Sequence, residues 1–147
     1  MNLSELLKKG VIEAVELDKK IVKEFMELSR TDLLAAEDNL KTKHFGWALA
    51  ISYNSMLYAG RALMAARGYR ATSDAHHLGV VQFCAAILPQ ESSQLVVTFN
   101  RYRIRRHDVV YGEAEQVKEE EAKRAIENAK IFVKKIEEKI IYANATL

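Results

Sequence analysis

Between positions 101 and 111 the chain reads Arg101-Tyr102-Arg103-Ile104-Arg105-Arg106-His107-Asp108-Val109-Val110-Tyr111. Four arginines fall within six residues, beside a histidine, an aspartate and two tyrosines. The arginine side chain is a permanently charged planar fork of donors that matches carboxylate or phosphate. The adjacent histidine adds a group able to move protons near neutral pH. On a helix, Leu95, Phe99, Tyr102 and Val109 form one apolar stripe, and the position that completes it is Arg106. Helix geometry therefore turns Arg106 towards the core side, where an unpaired charge is too costly to keep. Two kinds of partner are open to it. One is a phosphate at the floor of a cleft, with Arg101, Arg103 and Arg105 holding a nucleic-acid backbone. The other is an acid of the same chain, Asp108 or a glutamate elsewhere. His107 lies four residues from both Arg103 and Tyr111 and shares their face on a continuous helix. Arg106 and Tyr111 diverge by roughly 140° there. They converge only if the helix ends near Val109 or if two subunits share the site.

The surroundings of this segment are skewed in the same direction. Residues 44–112 hold seven cations, all arginine, against three acids, together with all four histidines. The flanking segments are nearly balanced and carry every lysine. Within the middle segment, Asn54 and Arg61 interrupt an apolar helix and are placed to line a cleft with Arg106; a satisfied polar pair inside a bundle is the alternative. His76 and His77 point about 100° apart on a helix and cannot share one metal there. A single Asp74-x-x-His77 lacks the paired Glu-x-x-His motifs of a di-iron bundle, and Asp74 reads as a helix cap. Cys84, inside an apolar run, reads as a small core residue. Phosphate loops, dinucleotide fingerprints and nucleophile elbows are missing.

The elements that must position these residues are helical. One proline, six glycines and long runs of Ala, Leu, Glu and Lys favour helix throughout, and no alternating pattern predicts a sheet. A short helix is expected over Leu3–Lys9, stopped at Gly10. Asp18 is placed to cap a long helix to about Lys43, with Ile21, Phe25, Leu28, Leu33, Ala36 and Leu40 turned inward. The helix Phe45–Arg67 carries two apolar stripes, one through Trp47, Ile51 and Tyr58 and one through Leu49, Tyr53, Met56, Gly60 and Leu63. An element apolar on several sides belongs at the centre. Thr72, Ser73 and Asp74 offer caps for a helix His76–Leu88, Pro89 breaks it, and a further helix spans Glu91–Val110. The last, Lys118–Tyr142, repeats Ala122, Ala125, Ile126, Ala129, Phe132, Val133, Ile136 and Ile140 at helical spacing. The expected fold is all-α: an antiparallel up-and-down bundle of four to five main helices. A short N-terminal helical extension (1–17) precedes the bundle (18–147).

At 147 residues the chain suits one domain. One cysteine excludes an internal disulfide framework and a Cys-rich zinc site. No apolar run reaches the ~20 residues that span a bilayer. The N-terminus lacks a signal-peptide pattern. A soluble cytoplasmic protein is the expectation.

Residues from about Asp18 to Tyr142 resemble a HEPN domain (higher eukaryotes and prokaryotes nucleotide-binding). The resemblance rests on three stretches in order: the central helix from Ala48 to Leu63 ending in Ala65-Ala66-Arg67-Gly68-Tyr69, then Ala75-His76-His77, then Arg105 to Tyr111 with the closing helix. It implies a helical bundle, usually homodimeric, with a polar cleft at or near the subunit interface. Many members of that family are metal-independent ribonucleases, often toxins paired with a minimal nucleotidyltransferase, with a signature of Arg, four to six residues, then His. With Arg106 as the signature arginine, His107 takes the polar place and Tyr111 stands where histidine is expected. A phenol is a poor base near neutral pH. The frame Arg101 to His107 meets the spacing, but Arg101 lies off the inward stripe. The resemblance thus implies Arg106, His107 and Tyr111 as catalytic residues. Arg101, Arg103, Arg105, Asn54 and Arg61 then contact RNA or a nucleotide, with no metal or cofactor. The alternative is a non-catalytic helical module that docks on a minimal nucleotidyltransferase.

Overall fold

Capping and breaking residues mark several of the helix boundaries. Asp18 caps the second helix by accepting from the Lys20 amide at 2.9 Å. Gly10, at φ +70, turns the chain after the first helix in a conformation that costs other residues more. Pro89 follows the end of the fourth helix. The computed structural model describes residues 1–112 and 117–145, with side chains as far as Ile141. Among the described residues the helices are α1 (Leu3–Lys8), α2 (Lys19–Lys41), α3 (Phe45–Ala66), α4 (His76–Ile87), α5 (Ser93–Val110) and α6 (Glu119–Ala145). Residues 146 and 147, the end of the expected 18–147 bundle, lie outside the described residues.

The fold is an all-α bundle with α3 at its centre, packed on α2, α4, α5 and α6. Cross-contacts fix the helix directions. Ser29 of α2 donates to the Ser55 carbonyl of α3 at 2.7 Å, and Phe25 stacks on Tyr58. Val109 of α5 lies beside Gly46, and Phe99 beside Gly60. Arg30 pairs with Glu137, and Lys130 with Glu37 at 2.5 Å, between α2 and α6. Both α2 and α5 therefore run antiparallel to α3 and α6. The expected stripe of α6, Ala122 to Ile140, is buried throughout. Gly60 is needed for close approach: a Cβ there would stand 2.5 Å from Val80 Cγ1 of α4. Valine is stiff at χ1 and cannot swing aside cheaply.

Four local expectations need correction. A sheet does form, though a minimal one: β1 (Ile12–Ala14) pairs antiparallel with β2 (Tyr69–Ala71), Glu13 opposite Arg70. Three-residue strands are too short to show an alternating pattern, and what drives the pairing is burial of Ile12. In α2, Ile21 and Leu28 are 42% and 44% exposed, so they do not belong to the inward stripe. The seam with α3 instead runs through Met26 and the fully buried Ser29, whose small side chain lets the helices approach. Trp47, read as part of a buried stripe, is 58% exposed. Finally, Asp74 caps nothing: residues Ser73–Ala75 form a 3₁₀ turn, and α4 starts without a side-chain cap.

Phe132 is fully buried, its ring 4.8 Å from that of Phe99. Phe132→Ala should cost about 3–5 kcal/mol, the usual range for truncating a buried aromatic. Urea unfolding checks this; a loss under about 1 kcal/mol would place Phe132 outside the core.

Candidate anion-binding site

Tyr53 sits on the buried stripe of α3 between Leu49 and Met56 and is itself fully buried. A buried phenol needs a hydrogen-bond partner. Tyr53 finds it at the start of α4, where its hydroxyl lies 2.9 Å from His77 Nδ1 and the two rings stack at 5.6 Å. Burial, opposed by Arg103, Arg106 and Arg61, pushes the Tyr53 pKa up, so the phenol keeps its proton. That proton has no other acceptor among the described residues, which assigns Tyr53 as donor to Nδ1. His77 then carries its own proton on Nε2. Burial lowers the His77 pKa to about 4, helped by the charges of Arg106, Arg61, His76 and Arg103. His77 is therefore neutral at physiological pH, with one N–H to give.

The cavity beside it, about 370 Å³, is lined by His77, Arg103, Ile104, Arg106 and His107. α5 supplies four of these because positions 103, 106 and 107 share a helix face one turn apart. Arg106 continues the inward stripe after Phe99 and Tyr102, and it is half-buried. Its Nε is shut off from solvent and makes no hydrogen bond among the described residues. Arg67 Nε and Ser92 Oγ share that state, but neither residue lines this cavity. No described carboxylate lies within 4.0 Å of Arg61, Arg103 or Arg106. Arg103 spends only its Nε, donating to Asn100 Oδ1 at 2.9 Å. The acid partner considered for Arg106, Asp108 or a glutamate, is not found among the described residues.

The other sequence candidates divide. His107 lines the cavity, is exposed, and packs its ring 4.6 Å from Tyr111 in a tilted contact. Tyr111 itself is 64% exposed and stands just past the end of α5. Arg105 turns to α6 and pairs with Glu121 at 2.6 Å, so its charge is already engaged. Arg101 is exposed and lies over the Tyr102 ring at 5.7 Å. Arg61 reaches the site electrostatically, acting on both Tyr53 and His77, while its guanidinium covers the Tyr58 ring at 5.7 Å. Asn54 is half-buried on α3 and is not among the residues lining the cavity. Sequence spacing missed His77 and Tyr53. The available signal was a tyrosine on an otherwise aliphatic buried stripe, whose hydroxyl had to meet something polar. Cys84 is fully buried and its thiol pushed up to about 12, which suits a core residue and not a nucleophile.

The described residues thus form a helical bundle with an arginine-lined cavity on one flank. The family model for the HEPN domain matches residues 22–139, and the chain belongs to that family. No curated protein sequence matches it significantly. Among the described residues, no helix is long and apolar enough to cross a membrane.

A histidine held neutral in the folded state makes stability depend on pH. The unfolded chain protonates His77 near 6.5 and the folded chain only near 4. Between these values the unfolded state binds more protons, so stability falls as pH drops through that window. Thermal unfolding at pH 7, 6, 5 and 4 should show a falling Tm, with a shallower fall in His77→Asn. Equal slopes in the two proteins would show that His77 titrates normally.

Proposed function

We propose that the chain is a cytoplasmic protein that binds the phosphate of RNA or a nucleotide in the arginine cavity. The observation that carries this reading is Arg106, whose buried Nε has no partner among the described residues and whose side chain lines an open cavity. A phosphate accepts several charge-assisted bonds at once, and bidentate pairing suits the guanidinium fork. Arg103 adds a second cation. His77, with its proton on Nε2, adds a neutral donor that does not increase the local repulsion. The family's nucleotide-binding and ribonuclease character supports the same assignment.

For strand cleavage without a metal, the 2′-oxygen attacks the neighbouring phosphorus. The 2′-O–P bond forms and the P–O5′ bond breaks, leaving a cyclic phosphate and a 5′-oxygen that takes a proton from water to give a 5′-hydroxyl end. Arg106 is placed to stabilise charge building on the phosphoryl oxygens. His107, lining the same cavity, is the residue placed to take the 2′-hydroxyl proton. In this reading the chain is the toxin-like member of a pair.

A specific feature favours a second reading, a non-catalytic module. Tyr111 occupies the place where the family signature has histidine, and towards the end of α5 Ile104, Val110 and Tyr111 are 50%, 38% and 64% exposed. These are the side chains that a second copy or a minimal nucleotidyltransferase would cover.

Binding of fluorescent single-stranded RNA, followed by anisotropy across a salt series with EDTA present, separates the readings. Affinity should fall as salt rises, with a slope of about 0.7 per phosphate contact. Arg106→Ala should weaken binding at least tenfold, since a hydrogen bond to a charged group contributes about 1.5–3 kcal/mol. The same substitution should abolish any cleavage while helical content is kept. RNA binding that is absent at low salt, or unchanged in Arg106→Ala, would favour the partner-only module.

A further inference from the structure

A second cavity, about 430 Å³, is lined in part by His76, the chain neighbour of the His77 that lines the arginine cavity. Its wall is largely apolar and partly aromatic, with Phe25 and Ile21 from α2, Met64 and Ala65 from α3, and Tyr69 from β2. Ile21 stays 42% exposed there, an apolar side chain left uncovered by the fold. Besides His76, four charged side chains face the same space. Arg61 lines this cavity, has no described carboxylate within 4.0 Å, and acts electrostatically on His77. Glu16 makes no ion pair or hydrogen bond among the described residues, and Asp18 uses one carboxylate oxygen as the α2 cap. Arg70, also in the wall, is engaged by Glu13 at 2.6 Å.

We propose that this cavity seats an unstacked nucleobase of the RNA or nucleotide whose phosphate lies against Arg103 and Arg106. The inference rests on the phosphate reading above and extends it to the identity of the ligand. A base is flat and apolar on its faces, with donors and acceptors only along its edge. Proteins read such splayed bases by stacking them on aromatic rings or guanidinium planes and by hydrogen-bonding their edges. Here Phe25, Tyr69 and Met64 supply the faces. Arg61 supplies donors for ring nitrogens or carbonyl oxygens, and Glu16 accepts from an exocyclic amino group. Other occupants fit less well. An aliphatic chain would desolvate Arg61 and Glu16 without pairing them. A bare inorganic anion would meet two carboxylates and leave the apolar wall wet.

Calorimetric titration with adenosine 5′-monophosphate, guanosine 5′-monophosphate and ribose 5-phosphate tests this, because the last has the phosphate and sugar but no base. At least one nucleotide should bind tenfold or more tightly than ribose 5-phosphate to the wild-type chain. Ala65→Leu, which fills the cavity, and Ile21→Glu, at a partly exposed position that tolerates charge, should each erase that margin. Both should leave ribose 5-phosphate binding unchanged. Arg106→Ala should weaken all three ligands. If ribose 5-phosphate binds but neither nucleotide binds more tightly, or if the folded variants keep the margin, the base cavity is overturned and the phosphate site stands. If none of the three ligands binds, the phosphate reading falls and this inference falls with it.

Discussion

Like charges repel, and the folded chain gathers Arg61, Arg103 and Arg106 around His77 without a described acid to offset them. Burial makes a charged His77 unfavourable at this place, and the guanidinium charges add to the effect. The neutral ring then needs a donor for Nδ1, and the phenol of Tyr53 supplies it from the middle of the core. Under the proposed phosphate binding, an entering anion would offset the guanidinium charges and meet a neutral donor in the same step.

The bundle makes this arrangement affordable by rigidity. Tyr53 is held between the ring of Phe99, at 5.7 Å, and the ring of His77. Phe99 is backed in turn by Phe132 of α6. The hydroxyl that fixes the His77 tautomer is therefore part of a continuous aromatic stack running from α6 through α5 and α3 to α4. Close approach of α4 to α3 at Gly60 sets the distance over which the stack must reach. Loosening that contact would reach the cavity through the ring positions and not through any residue that touches a ligand.

Much of this was legible in the sequence, and the remainder was hidden for definable reasons. Helices with a dominant one-sided period, such as α6, could be read almost residue by residue. The turn of α2 about its axis could not, because Ser29 occupies the buried seam while Ile21 and Leu28 stay outside. Apolarity alone ranks these positions in the wrong order; the hydrogen bond from Ser29 to Ser55 decides it. Arg106 was visible as the charged member of an apolar stripe on one helix, a local pattern. Tyr53 and His77 meet from two helices 24 residues apart, and no local spacing encodes that meeting. The engagement of Arg105 by Glu121 of α6 was invisible for the same reason.

The most direct examination of the central claim is nuclear magnetic resonance of the arginine Nε–H groups, with Arg106 assigned by its substitution to lysine. Without ligand, the Arg106 signal should be sheltered from solvent exchange yet lack the downfield shift of a strong hydrogen bond to a carboxylate. Addition of inorganic phosphate should shift it strongly, with saturation, while the exposed Arg101 signal moves little. An Arg106 signal already displaced as in a carboxylate pair, and indifferent to phosphate, would contradict the account.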